Sequence, residues 1–387
     1  MNILIVHPHI FAGGAEKVLL NLAYQLEKHK CKVDIATLTS DLSKLPPHLH
    51  NLNFILPGEE ICIPIMRDLK STVESVGKET KLLIEQIRER MDRYDLLNPH
   101  NFPAYWATAL AGCRKPIVWH CNEVLGPYGQ TRDLYENSPV FRLTLDWVKK
   151  LDSLLVRRSV NKIITCSDLN RRLVEERYGI KPEVANTCVD YAFFSRKIKN
   201  AKSKLGIEGS PLLLHVGSLI QRKNQLVSIQ ALKILKDKID SAKLALVGEG
   251  PWKPILQKAV KQLKLESDVY FFGEVTEEKL RCLYYACDIN LYPVRDQSWG
   301  LVPFEALAAQ KPSITSPYCG AAETLSSRKL GIVVEPEPKR LAEATYFLLK
   351  NPQIMEDIAK RGQNFLINNL TCEVYAEKIL KIFQNSI

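Results

Sequence analysis

Short runs of β-branched and aliphatic residues alternate along this chain with stretches whose apolar positions recur every three or four residues. Asn2 to His7 is the first such run. A glycine-bearing loop follows, and then Ala15 to His29 carries Val18, Leu19, Leu22, Ala23 and Leu26 at helical spacing. Lys32 to Leu38, Asn53 to Leu56, Tyr94 to Pro99, Pro116 to His120 and Lys162 to Cys166 read as further strands. Lys78 to Arg93 reads as a charged helix, and Ser167 or Asp168 is placed to cap the helix after the last of these strands. Runs apolar on both faces, separated by helices, imply a parallel, doubly wound sheet.

The alternation then begins afresh. Leu212 to Val216, Ala242 to Val247, Val269 to Phe272, Ile289 to Tyr292 and Ser313 to Thr315 read as strands. Asn224 to Lys238, Trp252 to Leu265, Thr276 to Ala286 and Val302 to Ala309 read as the helices between them. Two α/β domains follow, divided at 190/191, with the charged stretch Tyr191 to Ser210 as an irregular linker. Beyond Pro338 the pattern is helical in three pieces, broken near Asn351 and Pro352 and again near Thr371. The last piece, about 371–387, is expected to pack back on the first domain.

The length of 387 residues suits two domains, and 46% hydrophobic with 25% charged residues sets disorder aside. A net charge of +10 favours anionic partners: phosphate-bearing small molecules, acidic membrane surfaces or nucleic acid. Nucleic acid ranks last of the three, because finger spacings, RNA-binding consensus sequences and long Lys/Arg blocks are missing. The ten cysteines are scattered, with no Cys-x-x-Cys pair. The N-terminal run is too short, and too broken by His and Pro, to read as a signal peptide. With no long apolar run elsewhere, we expect the cytosol, or the cytoplasmic face of a membrane. Phe141 to Lys162 sets Leu145, Trp147, Val148, Leu151, Leu154 and Leu155 against Lys149, Lys150, Arg157 and Arg158. Two readings stay open for this basic amphipathic helix: a membrane or lipid-acceptor surface, and a core-packed helix with a solvated basic face.

Candidate chemistry gathers where strands run into helices. Gly13 and Gly14 let backbone approach a phosphate at a helix start, although a glycine pair there also serves as a plain turn. In the second domain His215 to Asn224 again joins a strand to a helix. Arg222 and Lys223 fall at the sheet's carboxyl edge, where open α/β folds bind ligands. Gly248 to Pro251, Gly273 to Val275 and Asp296 to Glu305 follow the next strands. Gly300, Leu301 and Val302 present amides to a phosphate, and Glu305 is placed to accept hydrogen bonds from a ribose.

These segments resemble the retaining glycosyltransferases of family 4. The likeness rests on Gly-Gly-Ala-Glu at 13–16, His120 after the run PIVWH, "HVGSLIQRKN", "LVGEGP", "FFGEVTEEKL" and "QSWGLVPFEALAAQKPSI", in this order. It implies the GT-B fold, with two Rossmann-like doubly wound parallel-sheet domains facing a central cleft. The first, 1–190, would bind the acceptor, and the second, 191–370, the nucleotide sugar. By resemblance, the glycine loop (Gly13, Gly14) and Lys223 hold the donor diphosphate, Glu305 the ribose, and Val275 with Glu277 border the base. Glu249 and Ser218 belong to the same donor site, and His120 sits by the transferred sugar. The implied reaction needs no metal and no cofactor, keeps the anomeric configuration, and moves a hexose from GDP- or UDP-sugar to a glycan or lipid-linked acceptor. Three departures stand out. Gln297, beside Asp296, occupies the place of the family's first Glu in Glu-x7-Glu, Ser218 replaces an Arg for which Arg222 can substitute, and Cys188 replaces a glycine. They motivate one alternative from another class, a subunit of the same fold that binds a nucleotide or partner without turnover.

Overall fold

A computed structural model describes residues 1–11, 13–43, 45–58, 69–124 and 139–387. The chain divides into two compact units, Met1–Asn186 together with Tyr375–Ile387, and Thr187–Val374.

In the first unit Asn53–Ile55, Lys32–Ala36, Asn2–Val6 and Leu96–Pro99 pair in that order, all parallel. Isolated parallel bridges, Leu97 to Ile117 and His100 to His120, carry the sheet on to Val118–Cys121, Lys162–Thr165 and Glu183–Val184. The first strand is buried from Ile3 to Val6, as expected for a strand covered on both faces. Gly14–Lys28 covers it with Leu19, Leu22, Ala23 and Leu26, all fully buried. Ser167 is the residue that caps the Asp168–Tyr178 helix, its Oγ accepting from the Asn170 amide at 3.0 Å. Cys372–Gln384 closes this unit, where Tyr375 and Phe383 lie against the His120 ring.

Two elements depart from the sequence reading. The helix expected over Lys78 to Arg93 runs instead over Leu69–Arg88, continuing through Gly77. Burial overrides the weak propensity of its first half: Thr72 and Ser75 are buried, and Ser75 Oγ donates to Glu79 Oε1 at 3.1 Å. The stretch Tyr191 to Ser210 is also not an irregular linker. It holds helices Tyr191–Phe194 and Ala201–Lys204, and it is pinned by Phe194 against Tyr284 and by Tyr285 Oη donating to the Ser195 carbonyl at 2.8 Å.

The Pro139–Ser159 helix is anchored by a buried carboxylate. Asp152 is fully buried and accepts from Tyr105 Oη at 2.7 Å, Trp106 Nε1 at 2.7 Å, Tyr178 Oη at 2.8 Å and Arg177 Nη2 at 2.6 Å. Burial and the neighbouring carboxylate push the Tyr105 and Tyr178 phenols up, so both remain donors.

The second unit has the order Val269–Gly273, Lys243–Val247, Leu212–Val216, Ile289–Tyr292, Ser313–Thr315, Ile332–Val333, again all parallel. Its strand order reverses between Leu212–Val216 and Ile289–Tyr292. Pro338–Lys350 packs on Gln225–Lys236, and Pro352–Asn369 on Val302–Ala308.

Removing the Asp152 carboxylate strands three donors and the Arg177 charge, so Asp152→Ala is expected to cost about 3 kcal/mol or more. Urea unfolding of the variant measures this, and a loss near zero would mean that these donors find other partners.

Candidate functional site

In an open parallel sheet, the loops leaving neighbouring strands on either side of the order reversal diverge and leave a crevice at the carboxyl edge. Here those loops are 217–223 and 293–301, and they are tied to each other. Arg295 N donates to the Arg222 carbonyl at 2.7 Å, and Asn224 Nδ2 to the Pro293 carbonyl at 2.9 Å. Arg222 Nη1 donates to the Asp296 carbonyl at 3.2 Å. At the centre Lys223 Nζ donates to Gln297 Oε1 at 2.5 Å, with the ammonium also 5.7 Å from the Tyr292 ring centroid.

Glycines let the adjoining loops close on this point. Gly217 N donates to the Val247 carbonyl at 2.9 Å, Leu219 N to the Glu249 carbonyl at 2.9 Å, and Gly248 N to the Gly273 carbonyl at 2.8 Å. Gly248 has φ +129°, and a Cβ there would strike the Gly217 carbonyl. Gly300 has φ +108°, and a Cβ would meet the Tyr292 ring at 2.8 Å. Both positions exclude larger residues, by backbone conformation and by space.

The second unit therefore brings together Ser218, Arg222, Lys223, Asp296, Gln297, Gly300, Leu301 and Val302 from the two loops at the reversal. Glu305 follows one turn into Val302–Ala308. It is largely buried, and its Oε2 accepts from Tyr284 Oη at 2.6 Å. Glu249 lies one strand further out, its carboxylate over Gly273 and paired with Lys253 Nζ at 2.7 Å. Val275 and Glu277 follow the outermost strand, where Thr276 caps the Glu277–Ala286 helix. Sequence reasoning missed Tyr292, Asn224 and Tyr284. An aromatic at a strand's carboxyl end was the available signal for Tyr292. Asn224 adopts a left-handed backbone, φ +58°, a conformation asparagine tolerates.

Gly13, Gly14 and His120 belong to the first unit. Gly13 precedes the Gly14–Lys28 helix with an ordinary φ of −78°, and a Cβ on it would strike the Glu16 carboxylate. Glu16 thus folds back over its own helix start, its Oε1 4.0 Å from His7 Nε2, with burial pushing its carboxyl pKa up. The position read as a phosphate loop is occupied here by an acid.

His120 is 2% exposed and stacks on His100 with centroids 4.3 Å apart. Its Nδ1 lies 2.8 Å from Asn98 Nδ2, while Nε2 has no partner among the described residues. Asn122, just past the end of the strand, is half-buried and donates to Asn101 Oδ1 at 3.3 Å. Burial drives the histidine pKa values down, to about 4 at His7 and about 3 at His120 and His215, and holds that of His100 well below its usual value.

Comparison with known proteins fits this geometry. A family model described as "Glycosyltransferase Family 4" matches residues 12–193, and one described as "Glycosyl transferases group 1" matches 197–365. The chain belongs to glycosyltransferase family 4. It is 22% identical to human alpha-1,3/1,6-mannosyltransferase ALG2, covering 98% of this chain and 95% of that one. It is 25% identical to an uncharacterized glycosyltransferase of Methanocaldococcus jannaschii, covering 95% and 91%. Among solved structures, Anabaena HepE in complex with UDP and glucose superposes with a TM-score of 0.80 at 19% identity, with full coverage of both chains. WaaG, a glycosyltransferase of lipopolysaccharide biosynthesis, gives 0.75 at 20%, covering 98% of this chain and 99% of that one. The fold of this family 4 enzyme is GT-B, and no helix among its described residues is long and apolar enough to cross a membrane.

The buried histidines give the enzyme a pH dependence of defined sign. They stay neutral when folded, whereas unfolded histidines take up protons below about pH 6.5. Stability is therefore complete above that value and falls as pH drops towards 4, each histidine adding a slope approaching ~1.4 kcal/mol per unit. Denaturant unfolding at pH 7.5, 6.5 and 5.5 measures the slope. His120→Asn should reduce it by about one proton, and an unchanged slope would show that His120 already charges in the folded state.

Proposed function

We propose that this family 4 glycosyltransferase moves a hexose from a GDP- or UDP-linked donor to a glycan or lipid-linked acceptor, without a metal and with retention of anomeric configuration. The observation that carries the reading is the Lys223 ammonium held by a neutral amide, Gln297, beside Arg222 at the strand-order reversal. The amide orients the ammonium towards the crevice and adds no negative charge of its own, an arrangement suited to a diphosphate. Several relatives are mannosyltransferases, which favours mannose, among them ALG2 and a GDP-mannose-dependent phosphatidylinositol monomannoside mannosyltransferase of Mycolicibacterium smegmatis. The donor is a substrate, and no separate cofactor takes part.

In this mechanism the bond between the anomeric carbon and the diphosphate oxygen breaks first, and the electron pair leaves with the oxygen. Lys223 and Arg222 offset the charge that develops there, the role a divalent ion plays elsewhere. The acceptor hydroxyl then attacks the face the diphosphate has just left, and its proton passes to the departing diphosphate oxygen. The amides of Gly300, Leu301 and Val302 add to phosphate binding, with Ser218 alongside. Glu305, fixed by Tyr284, receives the ribose hydroxyls, while Val275, Glu277 and Glu249 border the nucleoside. Gln297 and Asp296 face the sugar. Gln297 supplies hydrogen bonds but no charge to a cationic transition state, so Asp296 is the nearby carboxylate that can. By resemblance to the family, Gly13 and Gly14 are assigned to diphosphate binding and His120 to the transferred sugar.

Thermal-shift titration with UDP, GDP and their hexose conjugates tests the donor assignment. A ligand at about 100 times its dissociation constant adds ~2.7 kcal/mol of stability, a shift of a few degrees. The shift should appear with one nucleotide family and disappear in Lys223→Ala and Glu305→Ala. Two fully active variants would sink the site. His120→Ala, on the other unit, should lower turnover at least tenfold while leaving donor affinity within about threefold, as read by calorimetry beside initial rates. Transfer should persist in EDTA, and a strict Mg²⁺ or Mn²⁺ requirement would overturn the proposed charge balance.

A further inference from the structure

A strand covered on both faces rarely carries an asparagine, because a buried amide is unfavourable unless its polar atoms are paired. Asn98, in Leu96–Pro99, is fully buried, and both ends of its amide are engaged. Its Nδ2 donates to the Val118 carbonyl at 2.5 Å and lies 2.8 Å from His120 Nδ1, while its Oδ1 lies 2.9 Å from His100 Nε2. The parallel bridge between His100 and His120 sets the two imidazoles side by side, stacked at an interplanar angle of 17°. Asn98 therefore joins two buried histidines, of which the reading above uses one.

This arrangement determines which nitrogen of His120 carries the proton. A backbone carbonyl only accepts, so the nitrogen of the amide, and not its oxygen, must face Val118. One amide proton goes to that carbonyl and the other is directed at His120 Nδ1, which is then the bare, accepting nitrogen. Asn98 Oδ1 is also 3.2 Å from Nδ1, but that contact is the longer one, and the oxygen already accepts from His100 Nε2. Burial keeps the His120 ring neutral, with its pKa down at about 3. A neutral imidazole holds a single ring proton, which resides here on Nε2. That nitrogen is buried and has no partner among the described residues. A buried N–H without an acceptor is costly, and a hydroxyl oxygen arriving at Nε2 would relieve the cost.

We propose that Asn98 is a positioning residue. Its amide, oriented by the Val118 carbonyl and by His100, holds His120 as the Nε2–H tautomer, a neutral hydrogen-bond donor to a sugar oxygen and not a proton acceptor. The inference rests on the assignment of His120 to the transferred sugar, but the tautomer itself can be read with no sugar present.

Long-range proton–nitrogen NMR spectra of the full chain, with isotope-labelled histidine, read the protonated nitrogen at neutral pH. The His120 ring is assigned through its proximity to Phe383, with centroids 6.3 Å apart. A single Nε2–H form is expected in the parent. Asn98→Leu removes the amide at nearly constant volume and should give a mixture of tautomers, with kcat lowered about tenfold and donor affinity within about threefold. Asn98→Asp offers a carboxylate, which accepts, and should draw the proton to Nδ1. Thermal melting separates these effects from a loss of folding, and the parent spectrum requires no variant. An asparagine with a merely structural role would lower stability and leave the tautomer unchanged. A parent ring protonated at Nδ1, or an unmixed Nε2–H form in Asn98→Leu, overturns the proposal. An Nε2–H parent with unchanged turnover in both His120→Ala and Asn98→Leu would instead overturn the role of His120 at the sugar, and the positioning role with it.

Discussion

The reversal of strand order between Leu212–Val216 and Ile289–Tyr292 is the constraint on which the candidate site depends. Right-handed crossovers place successive helices on opposite faces at that point, and the loops leaving the two strands part company. Four chain segments that are separate in sequence then meet over one sheet edge. Their approach is limited by backbone contact, which is why Gly248 and Gly300 carry φ values that other residues avoid. Lys223 follows from the same geometry. Its loop leaves one strand of the reversal and its partner Gln297 leaves the other, so their contact spans the crevice.

The charge of that contact distinguishes this chain within its family's pattern. A carboxylate at 297 would pair with Lys223 and offset its charge towards a diphosphate, while supplying negative charge to a developing sugar cation. The amide reverses both effects. Asp296 sits beside it with a left-handed backbone, φ +53°, and its carbonyl engages Arg222. On the proposed mechanism, the arrangement is weighted towards stabilising the leaving group rather than the sugar cation.

Most strands were legible because a fully covered parallel strand needs apolar residues on both faces, and Asn2–Val6, Leu212–Val216 and Ile289–Tyr292 satisfy that locally. Elements whose stability comes from tertiary contacts were not legible. The Leu69–Arg88 helix begins in serine, threonine and glycine that isolated peptides would not keep helical, and Tyr191 to Ser210 is ordered by aromatic rings far along the chain. In the donor site the motif residues could be placed from sequence, because strand ends fix them. Tyr284 could not, since it reaches Glu305 from a helix 21 residues away in sequence. Nor could the burial of His120, which depends on a helix contributed by the last residues of the chain.

The two glycine loops show how far equivalent positions diverge in electrostatics. Each joins the first strand of its unit to a following helical segment, and from sequence both read as phosphate cradles. At Gly217 the backbone is in a glycine-only conformation, φ +153°, and the nearest side chain is the cationic Lys223. At Gly13 the backbone is ordinary, and the nearest side chain is the Glu16 carboxylate, which lies over its own helix start. An anion approaching the first loop must displace an acid, while one approaching the second meets an ammonium already oriented. Under the proposed function donor affinity is assigned to the second unit, and Glu16 stands at the first loop. That carboxyl group, raised by burial and close to His7, couples the loop to the cluster of neutral histidines beneath it.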